Sequence, residues 1–128
     1  MATIEELLAA ARERLQRVTP EEAADAAEHG DAVIVDIRAD SQIEQDGGIP
    51  EARRIPRNVL EWRLDPACEH RDPELAGYDR RVILMCNEGY QSSLAAATLK
   101  DLGIENATDM IGGFQAWREA GLPRREPG

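Results

Sequence analysis

The residues with the most evident chemistry lie in 86-CNEGYQSS-93, directly after the apolar run 81-RVILM-85. Cys86 is one of only two cysteines in the chain. A thiol at the end of a buried strand, followed by a short glycine loop and then a helix, occupies a place where a nucleophile can be built. Gly89 lets the backbone curl so that successive N–H groups point inward and form an anion-holding nest. A helix starting near Ser92 aims its positive end at the same spot. Both features stabilise a thiolate. A strand-end cysteine is also a common small core residue, and on these eight residues alone both readings stand.

The elements that must position Cys86 read clearly. The runs 32-AVIVDI-37 and 82-VILMC-86 are dense, β-branched and short, as buried strands are, and 107-ATDMI-111 reads as a third short strand. In open parallel sheets ligands bind beyond the carboxyl ends of strands, which is where Cys86 falls. Ser92 or Ser93 can cap the following helix, 93-SLAAATLKDL-102, and Gly103 can end it. The last helix, 113-GFQAWREA-120, follows the turn at Gly112 and Gly113 and stops at Gly121, with Pro123 just beyond.

Upstream, Ile4, Leu7, Leu8, Ala11, Leu15 and Val18 recur at helical spacing and predict an amphipathic helix over 1–18, packed at the domain edge. Thr19, Pro20 and Glu22 form a helix start with a capping box, and that helix runs to Gly30. Residues 38–57 read as loop with Gly47, Gly48 and Pro50, followed by a short helix at 58–64. Residues 65–79 read as loop and turns. Strands alternating with helices of about ten residues predict an α/β domain with a largely parallel sheet. The chain divides into the helix at 1–18, the domain at 19–123 and a frayed tail at 124–128.

At 128 residues, 42% hydrophobic and 31% charged, this is one globular domain. No apolar run approaches the roughly 20 residues that cross a bilayer, and the N-terminus lacks the apolar centre of a signal peptide. Two cysteines without an export signal point to a reducing cytoplasmic setting with free thiols. The net charge of −10 repels nucleic acid and anionic membranes, so neither is expected as a partner. Five arginines cluster within residues 53–71 and are expected on a solvated face.

Four segments in order resemble the rhodanese family of sulfurtransferases. The stretch 35-VDIR-38 is similar to the aspartate-x-arginine that ends an early strand there. The stretch 47-GGIPEARRIP-56 looks like the family's glycine-histidine-isoleucine-proline segment with substitutions, Gly48 standing where the histidine would be. The third, 112-GGFQAWREAGLP-123, closely matches the C-terminal glycine-glycine, tryptophan and glycine-leucine-proline pattern. The loop 86-CNEGYQSS-93 lies at the expected place between them. The resemblance spans about residues 19–123 and implies a three-layer α/β/α domain with a largely parallel central sheet.

It implies that Cys86 takes a sulfane sulfur from a donor, becomes a persulfide and passes the sulfur to a thiol or cyanide, with no metal or organic cofactor. Asn87, Glu88, Gly89, Tyr90, Gln91 and Ser92 would form the cradle, supported by Asp36 and Arg38 as a structural ion pair. The related tyrosine and dual-specificity phosphatases need an arginine at the position held here by Ser92 to clamp phosphate, so that chemistry is not expected. Many active rhodaneses also carry a basic residue in the loop, where this chain has Gln91 and adds Glu88. A low-molecular-weight or protein persulfide is therefore the expected donor, ahead of the thiosulfate dianion. The other reading on the same residues is a low-turnover binding or sulfur-carrier module.

Tyr90 would offer a wall to the donor or merely shield the cradle. Arg63 and His70 are candidates for the missing cation, although solvated surface is the expectation for both. Trp62 and Trp117 are expected as core anchors, and Cys68, two positions before His70, as an unpaired loop cysteine rather than part of a zinc site.

Overall fold

A computed structural model describes residues 1–127. The two apolar runs form the centre of a sheet: β1 (Val33–Asp36) and β3 (Val82–Met85) pair in parallel from Val33 opposite Val82 to Asp36 opposite Met85. Two short strands flank them, β2 (Arg53–Arg54) beside β1 and β4 (Thr108–Asp109) beside β3. The order β2-β1-β3-β4 is parallel throughout. Each crossover carries a helix: α3 (Asp40–Asp46), α4 (Leu60–Leu64) and α5 (Gln91–Asp101). Before the sheet come α1 (Ile4–Glu13) and α2 (Pro20–Glu28), and after it α6 (Gly113–Glu119).

Side chains alternate across the sheet with the two-residue strand period, which generates two cores. Val35, Ile37, Val82, Leu84 and Cys86 face one side and pack with Leu60 and Leu64 of α4 and with Ala95, Ala96 and Leu99 of α5. Ile34, Ile83 and Met85 face the other, against Ala23 and Ala26 of α2 and Phe114 and Trp117 of α6. The three-layer α/β/α expectation holds. The capping box is formed: Thr19 Oγ1 accepts from Glu22 N–H at 3.1 Å and Glu22 Oε1 accepts from Thr19 N–H at 2.9 Å, which holds the Glu22 carboxyl below its ordinary range.

Several expectations are corrected. α3 occupies part of what reads as loop, and β2 is a two-residue strand with no sequence mark of its own. The N-terminal helix stops at Glu13; Val18 instead bridges Met110 in parallel, with Val18 N–H on Asp109 O at 3.1 Å and Ile111 N–H on Val18 O at 2.8 Å. α1 packs on α5, with Ala11 buried and Ile4 and Leu7 left exposed. Trp117 is a core anchor, but Trp62 is 55% exposed, because Leu60 and Leu64 take the buried side of α4. Arg125, expected in a frayed tail, exchanges both backbone hydrogen bonds with Gly48, at 2.6 and 3.0 Å; Gly128 lies outside the described residues. Among the described residues no helix is long and apolar enough to cross a membrane.

Candidate active site

Cys86 follows the last residue of β3 and lies on the face shared with Val82 and Leu84, so its side chain meets the start of α5. Gly89 has φ +87, a conformation open to glycine. A Cβ there would stand 2.8 Å from the backbone nitrogen of Gly112, so the loop is also pressed against the turn before α6. Curled this way, the loop directs Gly89 N–H at Cys86 Sγ over 3.1 Å. The thiol donates to Ser92 Oγ at 3.3 Å, and Ser92 Oγ donates to Asp109 Oδ2 at 2.7 Å.

The start of α5 differs from its expected form. The helix begins at Gln91, and neither serine caps it. Both hydroxyls are buried in the first turn and donate to the same Asp109 oxygen, each at 2.7 Å. Asp109 is completely buried. Its remaining partner is Arg17, whose Nε donates to Oδ1 at 2.8 Å and whose Nη2 donates to Oδ2 at 3.2 Å.

The turn at Gly112 and Gly113 locks the loop from the other side. Phe114 N–H donates to Cys86 O at 2.9 Å, and Gln115 N–H to Asn87 O at 3.1 Å. Gln115 Nε2 also donates to Asn87 Oδ1 at 2.9 Å. Only a glycine fits at 113, where φ is +60 and a Cβ would lie 2.4 Å from Cys86 O.

In front of the sulfur opens a cavity of about 470 Å³, lined by Cys86, Asn87, Glu88, Tyr90 and Gln91 on the loop side. Arg38, Gln42 and Arg57 line the opposite side. Of the predicted cradle, Gly89 and Ser92 instead lie buried beneath the sulfur. Glu88, Tyr90 and Gln91 are exposed, and the Tyr90 ring carries the Arg12 guanidinium 5.7 Å from its centroid.

Asp36 and Arg38 do form a buried ion pair, with Nε on Oδ1 at 3.0 Å and Nη2 on Oδ2 at 2.8 Å. Nη2 also reaches Gly47 O at 2.9 Å, and the guanidinium lies 4.2 Å from the Phe114 ring centroid. Arg63 and His70 do not line the cavity; Arg63 Nη1 donates to His70 O. Of the arginine cluster, Arg57 alone borders it, and Glu61 holds its Nη1 at 2.7 and 2.9 Å. Cys68 is free and accepts from His70 N–H at 3.4 Å.

Sequence reasoning misses Asp109, Arg17 and Arg12. Asp109 leaves a trace, since a carboxylate inside a short apolar strand needs buried partners. The two arginines leave none, because only the fold brings them to the loop.

Residues 19–120 match the profile of the rhodanese-like domain, and the chain belongs to that family. Among its curated relatives is a sulfurtransferase of Allochromatium vinosum, 32% identical over 93 residues, which are 73% of this chain and 78% of that one. Thiosulfate sulfurtransferase GlpE of Actinobacillus succinogenes is 30% identical over 108 residues, 83% and 86% of the two chains. Among solved structures, a protein of unknown function and possible tyrosine phosphatase from Rhodopseudomonas palustris superposes with a TM-score of 0.89 at 35% identity. That match covers 98% of this chain and 96% of the other. At the level of the family, the curated relatives are sulfurtransferases.

Proposed function

We propose that this protein transfers sulfane sulfur through a persulfide on Cys86. The observation that carries the reading is the Cys86 sulfur at the foot of an open cavity, with Gly89 N–H directed at it over 3.1 Å. The thiolate attacks the outer sulfur of a donor. A sulfur–sulfur bond forms to Cys86, the donor's own sulfur–sulfur bond breaks, and the donor leaves as a thiolate, or as sulfite if it was thiosulfate. An acceptor thiolate or cyanide then attacks the outer sulfur of the Cys86 persulfide and regenerates the Cys86 thiolate. Electrons balance within each half, so no external oxidant or reductant enters. The Gly89 N–H, already directed at the sulfur, stabilises negative charge there without reorganising at the moment of reaction.

The charge at the cavity mouth supports an organic persulfide donor over thiosulfate. Glu88 is exposed on the rim, the loop has no basic side chain, and Arg57 is already held by Glu61. The same features disfavour phosphate-ester hydrolysis: position 92 is a serine whose hydroxyl is committed to Asp109, so no guanidinium is there to clamp a phosphoryl group. The test is steady-state turnover with glutathione persulfide and with thiosulfate, cyanide being the acceptor in both. The expected result is a higher kcat/KM with the persulfide and loss of both activities in Cys86→Ser. Turnover that survives Cys86→Ser, or efficient hydrolysis of an aryl phosphate, would overturn the proposal.

A further inference from the structure

The countercharge around Cys86 does not come from the loop that carries it. The titratable and charged groups lining the cavity in front of the sulfur are Glu88 and Tyr90 on the loop, Arg38, paired with Asp36 at the end of β1, and Arg57, paired with Glu61. Both of these pairs are neutral within themselves. Behind the loop, Asp109 of β4 is fully buried with its carboxylate one hydroxyl away from the sulfur. An uncovered carboxylate there would oppose any negative charge on Cys86.

Arg17 covers both of its oxygens and reaches on to Gly89 O at 3.2 Å. Arg12 adds a second guanidinium, donating to Gly89 O at 2.7 Å and to Ser93 Oγ at 3.1 Å. Two cations against one carboxylate leave a net positive charge behind the loop. Both arginines precede the segment that matches the family, residues 19–120.

We propose that Arg17 and Arg12 are positioning residues for the chemistry of Cys86, the N-terminal segment supplying from behind the countercharge that the loop lacks. The inference rests on the persulfide reading above. Ser92 has a single hydroxyl proton. While Cys86 is a thiol, that proton is held by Asp109. When the sulfur turns anionic, the proton can swing to it only if Asp109 stays satisfied, and Ser93 Oγ and two N–H groups of Arg17 do that. Arg17 therefore neutralises the carboxylate and releases Ser92 to the sulfur.

The test is the rate of Cys86 alkylation by iodoacetamide as a function of pH, measured on the full chain in a Cys68→Ser background. Arg17→Met is expected to move the midpoint of the profile up by roughly one pH unit, which slows alkylation by up to about tenfold at pH values below the wild-type midpoint. Arg17→Lys should recover part of the rate. The decisive variant is Arg17→Met combined with Asp109→Asn, which removes the carboxylate together with its counterion and should return the midpoint close to wild type. If Arg17 merely props the fold, the double variant will be at least as slow as the single one, and that result overturns the proposal.

Should Arg17→Met fail to fold, Asp109→Asn alone still decides. Faster alkylation below neutral pH supports the inference, and an unchanged or slower rate overturns it. Alkylation needs no sulfur donor, so this outcome is independent of the turnover assay that tests sulfur transfer itself.

Discussion

Adding one methyl group at Gly113 should damage both the fold and the loop that holds Cys86. The position has φ +60, and a built Cβ would stand 2.4 Å from Cys86 O and 2.7 Å from the Asn87 carbonyl carbon. These are backbone atoms, so no side-chain rotation relieves the overlap. Left-handed backbone costs a non-glycine residue about 1–2 kcal/mol, and the overlap adds about 1–3 kcal/mol. Gly113→Ala should therefore destabilise by about 2–5 kcal/mol in urea unfolding.

Gly121 provides the control. It has φ +73, and nothing lies within 4 Å of its built Cβ, so Gly121→Ala should lose only about 1–2 kcal/mol. The only escape for the Gly113→Ala variant is for α6 to move off the loop, which lengthens the Phe114 N–H to Cys86 O bond of 2.9 Å. Cys86 alkylation at neutral pH should then slow in Gly113→Ala and stay unchanged in Gly121→Ala. Equal unfolding midpoints for the two variants would refute the claim that the turn clamps the loop.

The two tryptophans should behave oppositely. Trp117 is 3% exposed and its Nε1 donates to Pro123 O at 2.8 Å, so Trp117→Ala should lose about 3–5 kcal/mol in urea unfolding, whereas Trp62→Ala should stay within about 0.5 kcal/mol. Asp36→Asn strips a buried guanidinium of its counterion, and thermal unfolding should report a loss of about 3–5 kcal/mol; a fall of under about 1 kcal/mol would mean that the Gly47 carbonyl and the Phe114 ring suffice to hold Arg38. Gln91→Arg places a cation at the cavity edge and should lower the KM for thiosulfate by roughly threefold to tenfold, while an unchanged KM would remove charge as the reason for donor preference.

What the sequence discloses is what local chemistry determines. The strands around β1 and β3 are buried on both faces and so read as unbroken apolar runs. The Thr19, Pro20 and Glu22 start declares itself because every group of a capping box lies within four residues. α3 is illegible for the opposite reason: it buries one apolar residue, Ile43, and has no side-chain cap. The two arginines of β2 acquire strand geometry only by pairing with β1.

At the site, Cys86 and its glycine loop are legible, since nucleophile, bend and helix are contiguous. The serines read as caps because a serine before a helix is usually one, and only the distant Asp109 draws them inward. Arg12 and Arg17 contact Gly89 across separations of 77 and 72 residues, a proximity no local pattern encodes. The general preference of tryptophan for burial fails at Trp62, because the two leucines of α4 already fill the buried side of that helix.

The central claim, that Cys86 carries sulfur, is tested most directly by intact mass after incubation with glutathione persulfide and, separately, with thiosulfate, for wild type and Cys86→Ser. The wild type should gain one sulfur atom, to a larger extent with the persulfide, that cyanide removes and that is absent from the variant. No gain from either donor, or an equal gain in Cys86→Ser, would contradict it.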